Sequence, residues 1–375
     1  MLKWVINKWD EEGVSYDLEK KDSDGNQPLL AVCLRGYLGS EGMAASSRST
    51  KEKRLEVVKI LLEHGADINI KSGIVEMTPL HWAAYNKDPN VVAHLLRQGA
   101  KMSFSKQKSN GDGGLAAVDV AGVCGHEEVV YVFAKWLEAV MLKEMISAGS
   151  VPDVVIADLE NGVEPDKSKM TEKGGYEALV EKKIRTEDMK KALPVHENGK
   201  TIIELSKVRR TELNEDESAE LRIFYWAAYF GRSKTVNRMI MHRKWSPFIK
   251  SFREQSVMTG AIKGERVNIV QRLAGGYEYK ATEEINFTKF LRDVFNKDLQ
   301  DNSCLHYAYA VDNPQIRQIL KDNGYSRNDM PRNVRGQLPR ELRHAKKCLD
   351  SDDEDFANRC KLNDEVASPE PPLVT

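Results

Sequence analysis

Two histidines are the natural place to look for acid–base chemistry. A neutral imidazole gives or takes a proton near pH 7, and His81 and His306 each sit inside a short apolar stretch. Catalysis would need further acids, bases or metal ligands gathered around them, and neither neighbourhood supplies a motif of that kind. Asp22-Ser23-Asp24-Gly25 looks like the opening of a calcium loop. Such a loop needs another acid and a distal Glu at fixed offsets, whereas here the chain reads straight into Pro28-Leu29. A hairpin turn is the expectation. Gly111-Asp112-Gly113-Gly114 is too short for a phosphate loop and suits a hairpin tip. No HExxH, GxSxG, Walker or GxGxxG pattern occurs. The expectation is a chain with no catalytic residue, no metal, no cofactor and no enzymatic activity.

The five cysteines (Cys33, Cys124, Cys304, Cys348, Cys360) are odd in number and scattered. They form no CxxC pair and no zinc spacing, so they read as reduced, small apolar side chains of an intracellular protein. Lys182-Lys183-Ile184-Arg185 and Lys207-Val208-Arg209-Arg210 are candidate contacts for phosphate or acidic partners, with solvated helix faces as the alternative. Ser46-Ser47-Arg48-Ser49-Thr50 and Ser351 are candidate phosphorylation sites, although a loop needs no such role.

The elements that would position these residues repeat. Thr78-Pro79-Leu80-His81-Trp82-Ala83-Ala84-Tyr85 is followed by Val91-Val92-Ala93-His94-Leu95-Leu96-Arg97-Gln98-Gly99-Ala100. Ser303-Cys304-Leu305-His306-Tyr307-Ala308-Tyr309 is followed by Gln315-Ile316-Arg317-Gln318-Ile319-Leu320-Lys321-Asp322-Asn323-Gly324, with its landmarks in the same register. Each unit reads as two short helices. Thr78 caps the first, and Pro79 occupies the first helical position, where its missing N–H costs nothing. Leu80, Ala83 and Ala84 form a narrow apolar face that lets a neighbour approach closely. Val91, Val92, Leu95 and Leu96 follow helical spacing, and Gly99 fits a left-handed cap. One such pair cannot bury its own face, so several must stack.

On these residues the chain resembles the ankyrin repeat family. Leu61-Leu62-Glu63-His64-Gly65-Ala66-Asp67-Ile68-Asn69 looks like the family's second-helix ending and hairpin start. The resemblance implies an all-α repeat solenoid of helix-turn-helix repeats with short β-hairpin tips, interrupted by an irregular insertion. Further copies start at Pro28, Ala117, Phe224, Ser256 and Pro339. The second helix of the Pro28 copy is expected over 55–63, and one from Glu127 runs to about Ile146. In the family the histidine of the signature bonds between neighbouring loops, which makes His81 and His306 structural. The other copies hold Leu30, Asp119, Tyr225, Met258 and Glu341 in that slot, so their inter-repeat bonding should be looser or different.

Residues 1–146 form an N-terminal block of about three repeats with a Ser-rich insertion over 39–53, and 1–9 supply the second helix of an incomplete leading repeat. Residues 147–217 break period, with Pro152, Pro165 and Pro194, and read as an insertion or linker. Residues 218–347 carry about four repeats, with an extra amphipathic helix over 282–298 (Phe287, Phe290, Leu291, Val294, Phe295). Residues 348–375 form an acidic, disordered tail.

Composition sets limits on the partner. With 56 Lys+Arg against 57 Asp+Glu the formal net charge is −1, which argues against a bulk electrostatic grip on nucleic acid. The neutrality is a sum of unlike parts. From Asp350 to Thr375 there are eight acids and two bases, net −6, so the rest carries about +5. An acidic tail on such a body can fold back on it or remain solvated. No run of eighteen apolar residues spans a membrane, and Met1-Leu2-Lys3-Trp4 lacks a signal-peptide core. The resemblance implies a protein-binding scaffold or adaptor, cytoplasmic and cytoskeleton- or cilium-associated in one reading. The alternatives are a structural subunit of a cytoskeletal or axonemal assembly, or a channel- or enzyme-regulating subunit. Tyr85, Asn86, Tyr229 and Phe230, after the Ala-Ala pair, are the candidate partner contacts on the concave face. Trp82, Trp226 and Tyr307 are core or inter-repeat contacts first, and Trp245-Ser246-Pro247-Phe248 is a possible apolar contact or a packed bend.

Overall fold

In a computed structural model, residues 17–22, 25–34, 48–71, 75–106, 114–147, 214–242, 249–275, 297–322 and 332–343 are described. Among them the helices pair along the chain. They are α1 (Pro28–Leu34) with α2 (Arg48–Glu63), α3 (Pro79–Tyr85) with α4 (Pro89–Arg97), α5 (Ala117–Val123) with α6 (Glu127–Ser147), α7 (Glu215–Tyr229) with α8 (Ser233–His242), α9 (Val257–Lys263) with α10 (Val267–Gly275), and α11 (Cys304–Ala310) with α12 (Pro314–Asp322). A single 3-10 turn, Pro339–Leu342, stands where a further first helix would begin. No sheet occurs among the described residues. The only β pairing there is two isolated antiparallel bridges, Phe104 with Ala116 and Lys250 with Ser256.

The first helices stack in chain order, α1 on α3, α3 on α5, α5 on α7, α7 on α9, α9 on α11, and α11 on the final turn. The second helices α2, α4, α6 and α8 follow in a parallel row, and α10 packs on α12. The buried side chains form one continuous apolar cluster from Leu29 to Leu320. It runs through the junction of α5 and α6 with α7 and α8, although residues 148–213 lie between them in sequence. The array is an all-α repeat solenoid.

Local chemistry explains the repeat. Pro79 and Pro89 open α3 and α4, and Asp88 caps α4 by accepting from Val91 N–H at 3.3 Å. The Asp88 carboxylate also takes Arg54 of α2 at 2.9 Å, with both side chains buried. Four hairpin turns share one hydrogen-bond pattern, at 22–26, 251–255, 298–302 and 333–337. In each, the first residue's N–H donates to the fifth residue's carbonyl, and the fourth N–H returns to the first carbonyl. Asp22, Asp298 and Asn333 further accept the fifth residue's N–H on their side chains. Asp22 is therefore the closing residue of a turn.

Between the paired helices the chain makes a left-handed step at one repeat position, occupied by Lys87 (φ 52°), Gly125 (φ 70°), Gly231 (φ 80°), Glu265 (φ 58°) and Asp312 (φ 53°). A side chain with a Cβ is strained there. Lys87 is exposed, so Lys87→Gly removes strain without removing packing. It should raise stability by about 0.5–1 kcal/mol, the strain relief less the entropy glycine loses. Gly125→Ala, with nothing within 4 Å of the added Cβ, should lower it by about 1 kcal/mol. Urea midpoints of the two variants moving the same way would refute this account.

Several expectations shift. The helix expected over 55–63 begins at Arg48 and takes in part of the stretch read as a Ser-rich insertion. The helix that carries the Phe224 copy runs from Glu215, inside the stretch read as insertion, and is capped by Asn214, whose side chain accepts from Glu217 N–H at 2.8 Å while Glu217 returns to Asn214 N–H at 3.0 Å. In the α9 copy Ser256 is the N-cap, as Thr78 is in α3, so the histidine slot holds Thr259 and not Met258. Residues 1–16, 148–213, 276–296 and 344–375 lie outside the described residues. With them go the leading helix, most of the insertion and its basic runs, nearly all of the extra helix over 282–298, and the acidic tail. Ser46, Ser47, 243–248, Gly111 to Gly113 and Gly324 lie outside them as well.

Candidate functional site

The last turn of each first helix carries the candidate contacts. Trp82 and Tyr85 on α3 are half-buried and meet edge to face, with ring centres 5.9 Å apart. On α7 the buried Trp226 supports Tyr229 at 5.3 Å and Phe230 at 6.1 Å, and those two rings touch at 5.0 Å. Tyr85, Asn86, Tyr229 and Phe230 are all half-buried. Helix α5 lies between the two aromatic groups and bears Val123 and Cys124 at the same positions, so Tyr85 and Tyr229 stand on either side of an apolar step. Asn86 is occupied differently from its neighbour. Its amide donates to Cys33 O at 2.6 Å, tying α3 to α1. The same job falls to His126, which donates to Ala84 O at 3.0 Å, and to Arg266, which donates to Tyr229 O at 3.0 Å.

Both signature histidines are wired into the repeat junctions. His81 Nε2–H donates to Leu115 O at 2.9 Å, and Nδ1 receives the Thr78 hydroxyl at 2.8 Å and the Thr78 N–H at 3.3 Å. His306 makes the same set with Ser303 and with Gln337 O at 3.1 Å. Burial pushes His81 down to about 4 from 6.5, and it lowers His306 and His126 in the same direction. Burial pushes the Cys33 thiol up to about 12 and Cys304 up to about 11. Thiols so protonated are poor nucleophiles.

Where the histidine is replaced, other polar groups cross the junction. Asp119 of α5 is fully buried. Its carboxylate accepts Ala116 N–H at 3.0 Å and the Trp226 indole N–H at 2.8 Å, and it lies 3.6 Å from Arg222. Arg222, also buried, sits against the rings of Phe104 and Phe252. Helix α5 can come this close because Gly122 faces the indole: a Cβ there would lie 2.2 Å from the Trp226 ring. Further along, Glu138 of α6 receives Thr235 and Arg238 of α8, each at 2.6 Å. In the next copies Tyr225 OH donates to Gln255, Gln255 to Tyr307 OH at 3.0 Å, and Tyr307 to the Asp298 carboxylate. Burial, reinforced by Asp298, raises the Tyr307 phenol.

The Asp119 bridge has one sequence signal, an acid standing in the histidine slot, whereas Glu138 lies on the second helix α6, outside that slot. Among the described residues no group of three or more His, Cys, Asp or Glu is placed to hold a metal ion, and no helix is long and apolar enough to cross a membrane.

These elements define a helical repeat solenoid whose junctions are crossed by polar side chains, those of the histidine slot among them. Residues 42–139 match the family model described as ankyrin repeats in three copies, so that stretch of the solenoid is built of ankyrin repeats. Similar solved structures include the human ASB11 ankyrin repeat domain, at 14% identity over 85% of this chain and 92% of that one, with a TM-score of 0.37. Another is the ankyrin repeat domain of Bcl-3, described as a unique member of the IkappaB family, at 14% identity over 84% and 93% with a TM-score of 0.35. The comparison with curated proteins gave no match. Ankyrin repeats are in general protein–protein interaction modules and are typically non-catalytic.

Proposed function

We propose that this chain is a non-enzymatic scaffold or adaptor that acts in the cytoplasm and binds a partner protein through the concave face bearing Tyr85, Tyr229 and Phe230. The observation that carries the reading is the half-exposed aromatic set itself. Tyr229 is held edge to face on a buried Trp226, Phe230 lies tilted against the same indole and edge to face with Tyr229, and Tyr85 is held on Trp82. Rings fixed in this way lose little further freedom on binding, and aromatic anchors dominate interface energetics. Asn86 contributes by holding α3 to α1. The partner that fits is a protein with an apolar ridge able to reach two aromatic groups across α5.

The test is affinity purification with mass spectrometry, comparing the chain with a Tyr85→Ala/Tyr229→Ala variant whose melting temperature and circular dichroism are unchanged. Selective loss of the bound protein is expected, with a cost of roughly 2 kcal/mol or more if these are anchors. A folded variant that keeps every partner would defeat the reading. Capture only as a fixed-stoichiometry component of one assembly would replace the adaptor with a structural subunit.

A further inference from the structure

At the end of the array two adjacent hairpin turns leave apolar side chains uncovered. Leu299 is 59% exposed and Val334 is 70% exposed. They occupy the same position in their turns, at 298–302 and 333–337, and the turns are joined by Val334 N–H donating to Gln300 O at 3.0 Å. In the preceding hairpin, at 251–255, that position holds Phe252, only 1% exposed beneath the rings of Tyr225 and Trp226. The position is therefore covered at one repeat and open at the last two.

The surroundings are basic. Arg332, Arg335, Arg340 and Arg343 are all exposed within twelve residues. The nearby acids are mostly engaged. Asp298 holds Asn302 and Tyr307, and Glu341 accepts Leu338 N–H at 2.8 Å. Arg343 reaches Asp312 at 3.1 Å, and Arg332 turns onto Gly336 O. Arg335 and Arg340 make no ion pair among the described residues.

We propose that this face is the docking surface for the chain's own acidic segment Asp352-Asp353-Glu354-Asp355-Phe356. The charges are complementary: the sequence carries four consecutive acids, opposite in sign to the arginine-bearing turn, and the aromatic that follows them is of a kind to cover the open Leu299–Val334 pair. The length also fits. The described chain stops at Arg343, and the eight residues before Asp352 span at most about 30 Å, so the segment is presented at the high effective concentration of a short tether. Exposed ion pairs are individually weak, so docking needs both the tether and the apolar anchor, and it is sensitive to salt.

Hydrogen exchange on the full chain, read by mass spectrometry over 297–302 and 332–343, tests this. Neutralising the run (Asp352→Asn/Asp353→Asn/Glu354→Gln/Asp355→Asn), Phe356→Ala, or Arg335→Glu/Arg340→Glu should each speed exchange there by about two- to five-fold, as should roughly 0.5 M salt. Exchange in α3 and α5 should not change. Equal protection in all variants would overturn the proposal. So would loss of protection on neutralising the acids but not on reversing the arginines, which places the segment elsewhere, for instance on Lys346 and Lys347. Protection that rises with protein concentration would assign the surface to a second copy and overturn docking within one chain.

Discussion

Asp119→Ala should cost about 4 kcal/mol of stability, the largest loss expected from a single polar side chain in this array. The carboxylate holds three buried donors at once: the Ala116 amide, the Trp226 indole N–H and the Arg222 guanidinium. Its removal leaves the first two unsatisfied, at about 1–3 kcal/mol each before relaxation. The guanidinium is the harder problem, because it stays charged at any pH the fold survives. Arg222 is packed against Phe104 and Phe252 with almost no exposure, so it cannot turn to water without opening the junction. Asp119→Asn keeps the shape and one acceptor and should lose about half as much. Asp119→Asn/Arg222→Met removes both charges and should recover part of that loss, since the penalty comes from the unpaired ion rather than from the absence of a salt bridge. The measurement is the urea midpoint at unchanged slope. A loss below about 1 kcal/mol for Asp119→Ala would mean that Arg222 finds another partner.

The same residue shows what the sequence could and could not reveal. Thr78-Pro79-Leu80-His81 and Ser303 to His306 announce the repeat because a capping hydroxyl, a first-turn position and a bridging imidazole must each sit at one place. The left-handed and close-packed positions leave similar marks, as at Gly99 and Gly125. Registers without a proline are harder to read. A copy starting at Ser256 puts Met258 in the histidine slot, whereas Ser256 plays the part of Thr78 and the slot falls on Thr259. The start of α7 was hidden for another reason. Glu215-Asp216-Glu217-Ser218-Ala219-Glu220-Leu221-Arg222 looks like solvated surface, yet its end is buried against α5. Charges that pair across a junction carry no periodic signal, so the stacking of α5 and α6 on α7 and α8 was invisible until the partners were placed. The candidate face was legible in outline through Tyr85, Tyr229 and Phe230. The use of Asn86 as a clamp was not, because its acceptor, Cys33 O, belongs to the backbone of another repeat.

Acidification should loosen the array before its carboxylates are protonated, and His81 is the main reason. In the folded chain its Nδ1 faces two donors, the Thr78 hydroxyl and amide, and its Nε2–H is committed to Leu115 O. An imidazolium would place a third donor against those two in a buried site, so burial holds the group down to about 4 against 6.5 when free. Between those values the unfolded chain binds a proton that the folded chain refuses. Stability therefore rises with pH across this window. The contribution is complete above pH 6.5 and is lost as pH falls towards 4, a loss of roughly 3 kcal/mol for His81. His306 and His126 are lowered by the same cause and steepen the slope. Urea midpoints recorded between pH 7.5 and 4.5 should fall steadily for the native chain and less steeply for His81→Gln. That variant starts lower at pH 7.5, because an amide cannot reproduce both bonds of the neutral ring, and the two lines should converge on the acid side. Parallel lines would show that His81 takes up its proton alike in the folded and the unfolded chain, which would require Thr78 to turn away from Nδ1. The first junction to open on acidification is then the one between α3 and the 114–116 segment. The α9 junction, where Thr259 stands in the slot, should be indifferent to pH over the same range.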